Sequence, residues 1–264
     1  MKTKINLIDE TIAGCDSIAE AAARCGTQTE MHRTSEKVEY VRDQEVWDGI
    51  SIFTDRTLTR VDSVESKIKV GLILESQLYD RQAYLNAIRL RDKFDYIFTH
   101  ESALLCADPG KFKFLAADTV CIDKESMAIH PKEKNIAMTY SSKTSLPGHK
   151  LRHAIVNELL PRYEISVDLF GSGSKNPIKM KSQALNPYRF SIEIENNQIK
   201  NYFTEKILDC FATGTIPIYW GCPNIDHFFN PDGILTVASD PDLKKALSLA
   251  NEDFYESRLD AIKE

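Results

Sequence analysis

Acids, amides and a cation follow one another closely in Glu195-Asn196-Asn197 and Tyr202-Phe203-Thr204-Glu205-Lys206. If Glu205 and Lys206 occupy the first turn of a helix, the partial positive charge there favours the acid and disfavours the lysine. An anion between helix and ammonium would resolve that conflict, so Lys206 reads either as a phosphate ligand or as an ordinary solvated lysine. Arg152 follows Ser145-Leu146-Pro147-Gly148, a fitting helix start, and is either a surface arginine or a two-pronged clamp on a diphosphate. Lys143 and Lys150 could enlarge a basic pocket there. Glu75 directly follows the apolar run Val70–Leu74 and reads either as a turn acid or as a general base. His100 and Glu101 end another short apolar run and are secondary rim candidates.

Other patterns carry less chemistry. His149 and His153 have the spacing of a metal pair, but Lys150 and Arg152 lie between them and oppose a cation, so surface or anion-facing histidines are expected. Asp240-Pro241-Asp242 has a D-x-D form, yet it sits where a helix cap belongs. Tyr219 and Trp220 lie in an apolar strand and read as core. The chain contains no G-x-x-x-x-G-K-[ST], G-x-G-x-x-G or G-x-S-x-G string, which removes simple P-loop, dinucleotide and serine-hydrolase readings.

The elements that would position these residues alternate between short apolar and longer amphipathic segments, the α/β signature. Strands are predicted at Ile5–Ile8, Ile50–Phe53, Ile68–Leu74, Tyr96–Phe98 and Phe114–Ala116, with helices at Ser17–Cys25, Tyr79–Arg91 and from Glu101. The stretch Thr27–Trp47 is polar and mixed. Beyond the connector Asp123–Asn135 the strands are Ile136–Tyr140, Ile165–Phe170, Tyr188–Glu195, Thr215–Trp220 and Ile234–Val237. The helices there are Gly148–Leu160, Thr204–Thr213, Asp240–Ala250 and Asp253–Lys263. The pattern predicts two Rossmann-like lobes with parallel sheets facing a cleft, ligands gathering at the carboxyl ends of the strands. The expected domains are 1–130, 131–250 and a terminal helix, 251–264.

Composition agrees with an ordinary globular protein of 264 residues, 42% hydrophobic and 27% charged. Thirty-three basic against 39 acidic residues give a net charge of −6, which argues against a general nucleic-acid binder. No run approaches the roughly 20 apolar residues of a bilayer span, and the amino terminus is not a secretory signal. Six cysteines without a C-x-x-C pair read as reduced thiols of a cytoplasmic protein.

Three ordered segments carry a resemblance: Tyr188-Arg189-Phe190-Ser191-Ile192-Glu193-Ile194-Glu195-Asn196-Asn197, then Tyr202-Phe203-Thr204-Glu205-Lys206-Ile207-Leu208-Asp209, then Gly214-Thr215-Ile216-Pro217-Ile218-Tyr219-Trp220-Gly221. Together with Phe229-Asn230-Pro231 they resemble the donor-binding signature of α-1,3/1,4-fucosyltransferases, glycosyltransferase family 10. Leu74-Glu75-Ser76 is similar to the family's E-S-P, with Gln77 in place of its proline, and Ile194 stands where the family has Phe before Glu-Asn. The resemblance implies a GT-B fold, a soluble bacterial or viral type with a trimmed acceptor lobe, and inverting transfer of fucose from GDP-fucose to a saccharide hydroxyl. By the matched motif, Glu195, Asn196, Tyr202, Glu205 and Lys206 would contact the donor, with Arg152 on its diphosphate. Glu75 would be the base, and Glu205 would favour a developing oxocarbenium ion. Fixed cations would stabilise the leaving diphosphate, so no metal or other cofactor is expected. The partners implied are a nucleotide-sugar donor and a glycan acceptor. Two alternatives stay open: the same scaffold using another nucleotide sugar, and a nucleotide-sugar-binding protein without transfer activity.

Overall fold

Short apolar segments become strands here because each lies in a parallel sheet. The computed structural model describes residues 2–10, 37–116, 120–122 and 124–263, so the helix expected at Ser17–Cys25 lies outside the described residues. The chain divides into two compact units, Met1–Asp118 and Thr119–Glu264, each built on its own sheet.

The front unit contains β1 (Thr3–Ile8), β2 (Val38–Arg42), β3 (Val46–Thr54), β4 (Glu65–Leu72), β5 (Tyr96–Thr99) and β6 (Phe112–Phe114). Their order is β2-β1-β3-β4-β5-β6, and every pair is parallel. The mixed stretch Thr27–Trp47 conceals β2, an edge strand whose Val-Glu-Tyr-Val-Arg sequence alternates too weakly to stand out. The strand expected at Phe114–Ala116 begins two residues earlier, because Phe112 is the inward residue paired with Ile97. A 3-10 turn at Asp55–Asp62 joins β3 to β4 and sends Leu58 and Val61 into the core. Asp80 caps α1 (Arg81–Leu90) by accepting the Ala83 N–H at 3.2 Å, and Glu101 caps α2 (Ser102–Ala107) through Ala103.

The rear unit contains β7 (Lys134–Thr139), α3 (Pro147–Ala154), β8 (Asp168–Phe170), β9 (Tyr188–Ile194), α4 (Glu205–Thr213), β10 (Ile216–Trp220), β11 (Leu235–Thr236), α5 (Asp240–Leu249) and α6 (Glu252–Lys263). Its strand order is β11-β10-β9-β7-β8, again all parallel. The helix expected over Gly148–Leu160 is α3 followed by a wide π turn at Ile155–Leu159 and a last helical turn, Leu160–Tyr163. Pro161 has no N–H to close an ordinary turn, which accounts for the widening just before it.

β9 is central, and both its faces are covered. Phe190, Ile192 and Ile194 enter the core, while the polar alternates Ser191 and Glu193 are buried as well. The Glu193 carboxyl accepts the Ser191 hydroxyl at 2.6 Å, and burial pushes it up to about 7. Asp240-Pro241-Asp242 is a helix start: Ser239 caps α5 and bonds the Asp242 carboxylate at 2.7 Å. Among the described residues, no helix is long and apolar enough to cross a membrane.

Candidate functional site

In a parallel sheet all carboxyl ends of strands share one edge, and the rear site grows from the end of β9. Two glycines let neighbouring backbone close on Glu195. A Cβ on Gly148 would lie 1.7 Å from the Glu195 carbonyl oxygen, and one on Gly221 would lie 2.5 Å from Glu195 Cγ. Side chains at either position would push α3 or the turn after β10 away from the site. The Gly148 N–H instead donates to the Asn196 carbonyl at 3.0 Å.

Glu195 is 0% exposed, and its carboxylate is occupied by protein groups. It accepts the Thr204 N–H at 2.8 Å and lies within 3.0 Å of the Thr204 hydroxyl, 3.2 Å of the Lys206 ammonium and 3.5 Å of the Tyr219 hydroxyl. A buried carboxylate costs several kcal/mol without a counter-charge, and Lys206 supplies it. The anion that explains a lysine on the first turn of α4 is therefore the chain's own Glu195. Lys206 is a partly buried ion-pair member, and a freely solvated surface lysine is ruled out by this geometry. Burial alone would depress its ammonium, but Glu195 and Glu205 outweigh burial and raise it.

Charges then alternate along α4. Lys206 lies 3.5 Å from Glu205, Glu205 lies 2.9 Å from Lys181, and Lys181 lies 3.0 Å from the buried Asp209. Asp209 also accepts the Cys121 N–H at 2.6 Å, while burial pushes its carboxyl up. Burial opposes the charge on Lys181, and Glu205 and Asp209 overcome it, raising the ammonium. Lys181, on the 3-10 turn Lys181–Ala184, and Asp209 escaped the sequence reading. Glu205 and Asp209 share one helical face at i, i+4, a like-charge pair that calls for a cation between them.

Arg152 approaches the same turn from α3. Its Nε donates to the Ile194 carbonyl at 3.0 Å, and Nη2 donates to that carbonyl and to the Asn196 side-chain oxygen. These contacts fix the guanidinium plane; its Nη1 meets no protein acceptor among the described residues. Burial depresses the guanidinium, and Glu195 and Glu193 counter that. It stays charged because its ordinary value lies far above neutrality.

His149 is not a surface histidine. It is buried, and its Nδ1 accepts the Leu146 N–H at 3.3 Å, closing the start of α3. Burial, with Arg152, Lys143 and Lys206 nearby, holds it below its ordinary value. That leaves a neutral ring with its proton assigned to Nε2. Neither α3 nor α4 carries a side-chain hydrogen bond from its N-cap residue, but at α3 Pro147 has no N–H and the Gly148 N–H is taken by the Asn196 carbonyl. Tyr202 is buried in the same turn. Phe229 stacks edge-on with Phe203 at 5.2 Å and Asn230 caps the next turn, so Phe-Asn-Pro is a packing element.

In the front unit Glu75 is half-buried, just beyond β4. The Tyr84 hydroxyl donates to the Glu75 carbonyl at 2.8 Å and lies 3.0 Å from His100 Nε2. His100 is fully buried, so it is no rim residue, and burial pushes it down to about 4. Glu101 serves as the cap of α2.

The structure thus brings Arg152, Glu195, Asn196, Tyr202, Glu205 and Lys206 together in the rear unit, while Glu75 belongs to the front unit. Residues 129–252 match the family model described as glycosyltransferase family 10 (fucosyltransferase) C-term. An alpha-(1,3)-fucosyltransferase of Helicobacter pylori is 43% identical over 60 residues, covering 23% of this chain and 13% of that protein. A putative fucosyltransferase-like protein of Arabidopsis thaliana is 31% identical over 103 residues, covering 38% of this chain and 20% of that protein. The matched segments span well under two thirds of either relative. A crystal structure of an alpha1,3-fucosyltransferase with GDP-fucose superposes with a TM-score of 0.55 at 15% identity, covering 98% of this chain and 81% of that one. That likeness shows the fold, a GT-B-type pair of parallel α/β units. The donor-signature segments lie inside the matched region, so residues 129–252 are similar to the C-terminal domain of glycosyltransferase family 10.

Proposed function

We propose that the protein is an inverting glycosyltransferase that moves fucose from GDP-fucose to a hydroxyl of a saccharide acceptor. The observation that carries this reading is the Arg152 guanidinium, locked by Ile194 and Asn196 with Nη1 facing no protein acceptor among the described residues. It adjoins the start of α4, which has no side-chain cap, an arrangement suited to a diphosphate. The family match and the GDP-fucose complex of the structural relative support the choice of donor.

In the proposed reaction Glu75 takes the proton of the acceptor hydroxyl, and that oxygen attacks C1 of the fucose. The bond from C1 to the diphosphate oxygen breaks, and GDP leaves with the electron pair. Charge growing on the diphosphate meets Arg152, Lys206 and the helix N–H groups, which hold it more strongly in the transition state than in the ground state. The saccharide, gaining oxocarbenium character, is favoured by a nearby carboxylate such as Glu205. Glu195 acts at one remove, holding Lys206 in place. Fixed cations perform the charge compensation, so a metal chelator should leave turnover intact. A cytoplasmic location belongs to the same proposal, supported by the buried thiols of Cys210 and Cys222, which pack as small apolar side chains.

A thermal-shift screen across GDP-, UDP- and CDP-sugars, paired with GDP release from GDP-fucose without acceptor, tests the reading. A selective rise in melting temperature with GDP-fucose, together with slow GDP release, is expected. Stabilisation by another nucleotide sugar alone would overturn the donor assignment. Binding without any GDP release, with or without saccharides, would leave a binding protein.

A further inference from the structure

The front unit holds Glu75 by its backbone. Its carbonyl accepts the Tyr84 hydroxyl at 2.8 Å, and its N–H lies 3.3 Å from Asp55 Oδ1. The same Asp55 oxygen accepts the Leu74 N–H at 3.0 Å. Asp55 is the residue immediately after β3, and it reaches this position with φ at 40°, a left-handed conformation uncommon for a residue other than glycine. Strain of this kind persists where surrounding contacts over-determine it, and the two N–H bonds are such contacts.

Several of the described charges around this turn are acidic. Asp55 faces Glu75 and Asp80, while Tyr84 faces Glu101 as well as those three acids. Arg56 is paired with Asp80 at 2.7 Å, and the buried His100 is neutral near pH 7. Burial, with help from Glu75 and Asp80, pushes the Asp55 carboxyl up to about 6, although the two N–H bonds favour its charged form.

We propose that Asp55 is the positioning residue of Glu75: it grips the backbone N–H groups that set the turn and confronts the Glu75 carboxylate with a like charge. This rests on Glu75 being the base of the proposed transfer. A base must be held within hydrogen-bond reach of the proton it takes, and Asp55 acts on that requirement without touching substrate. A like charge beside a carboxylate disfavours its ionised form.

The test is a variant series in the full chain, read by transfer kinetics across pH and by GDP affinity. Asp55→Asn keeps an acceptor oxygen and tolerates the backbone angle, but carries no charge. Its kcat should stay within roughly threefold of the parent, while the acid limb of kcat/KM moves down by about half a pH unit or more. Asp55→Gly relaxes the backbone and removes the acceptor; its kcat should fall about tenfold or more, with GDP affinity within about twofold. Greater activity in Asp55→Asn than in Asp55→Gly is the signature of positioning. An unmoved acid limb in Asp55→Asn, or parental kcat in Asp55→Gly, overturns the proposal. If the glycine variant does not fold, the acid limb of Asp55→Asn decides alone. Glu75→Gln separates the two layers: full transfer activity there sinks the base assignment, whereas loss of transfer beside normal Asp55 variants sinks only the role of Asp55.

Discussion

The two units place ionisable groups at the carboxyl ends of parallel strands, but hold them by opposite means. In the front unit Asp55, Glu75, Asp80 and Glu101 crowd one turn, and two hydrogen bonds hold the backbone of Glu75. In the rear unit Asp209, Lys181, Glu205, Lys206 and Glu195 alternate in sign, and the restraints act between side chains. Burial, aided by the neighbouring acids, raises the Asp55 carboxyl to about 6. Alternating charges aim ammonium groups while preserving their charge, which suits a site for an anion. A backbone clamp leaves the carboxylate chemistry to its neighbours, whereas an ion-pair chain makes each charge depend on the next.

That dependence gives the largest expected effect. Lys206→Ala leaves Glu195 buried among hydroxyls and one N–H without its cation, and should lower stability by about 3–5 kcal/mol. Turnover should fall too, by about 2–4 kcal/mol in transition-state stabilisation if the ammonium contacts the leaving phosphate. Adding Glu195→Gln removes the stranded charge, so denaturant unfolding should show stability partly restored while turnover stays low. Recovery of both together would mean that Lys206 serves only the fold. Failure of the second change to restore any stability would break the picture of a dependent chain.

The front clamp should respond more mildly. Tyr84→Phe keeps the buried ring and deletes the bonds to the Glu75 carbonyl and His100, costing about 1–3 kcal/mol. Because Asp55 still grips Leu74 and Glu75, the transfer rate should fall less than in Asp55→Gly. A larger loss of transfer in Tyr84→Phe would shift the main restraint on Glu75 from Asp55 to the tyrosine.

Sequence made the rear unit's elements legible because their apolar residues repeat cleanly and its helix starts are marked, as with Pro147-Gly148 and Thr204. The identities of Arg152, Glu205 and Lys206 were equally visible. Their pairings were not, since Lys181 meets Glu205 across 24 positions and Cys121 meets Asp209 across 88, separations that no local period records. Glu195 illustrates the limit: the motif marked it as important, but only packing shows that its oxygens are filled by Thr204, Lys206 and Tyr219. Asp55 carries no signal in the sequence because its importance lies in a backbone angle. His100 seemed a rim residue because a strand end does not reveal how completely Tyr84 and its neighbours cover it.

Lys132 supplies the subtlest comparison, a rear-unit cation held by neutral oxygens. Its ammonium donates to the Leu185, Asn186 and Thr213 carbonyls and to the Thr215 hydroxyl at 2.9–3.1 Å, tying the end of α4 to the loop before β9. With no carboxylate among the described residues to offset it, burial pushes this lysine down from 10.5 to about 7. The unfolded chain therefore binds more protons than the native one between these values, so stability should rise with pH across that window. Below pH 7 both states carry the charge, and the burial penalty is present in full. The pH dependence of unfolding should differ from that of Lys132→Met by up to about 1 kcal/mol per pH unit, reduced by the partial exposure of the group. Parallel curves for parent and variant would show that four neutral acceptors hold the proton as firmly as water does. In that case an ammonium would need no carboxylate to remain charged here, and the alternating chain beside α4 would serve to aim its cations rather than to keep them charged.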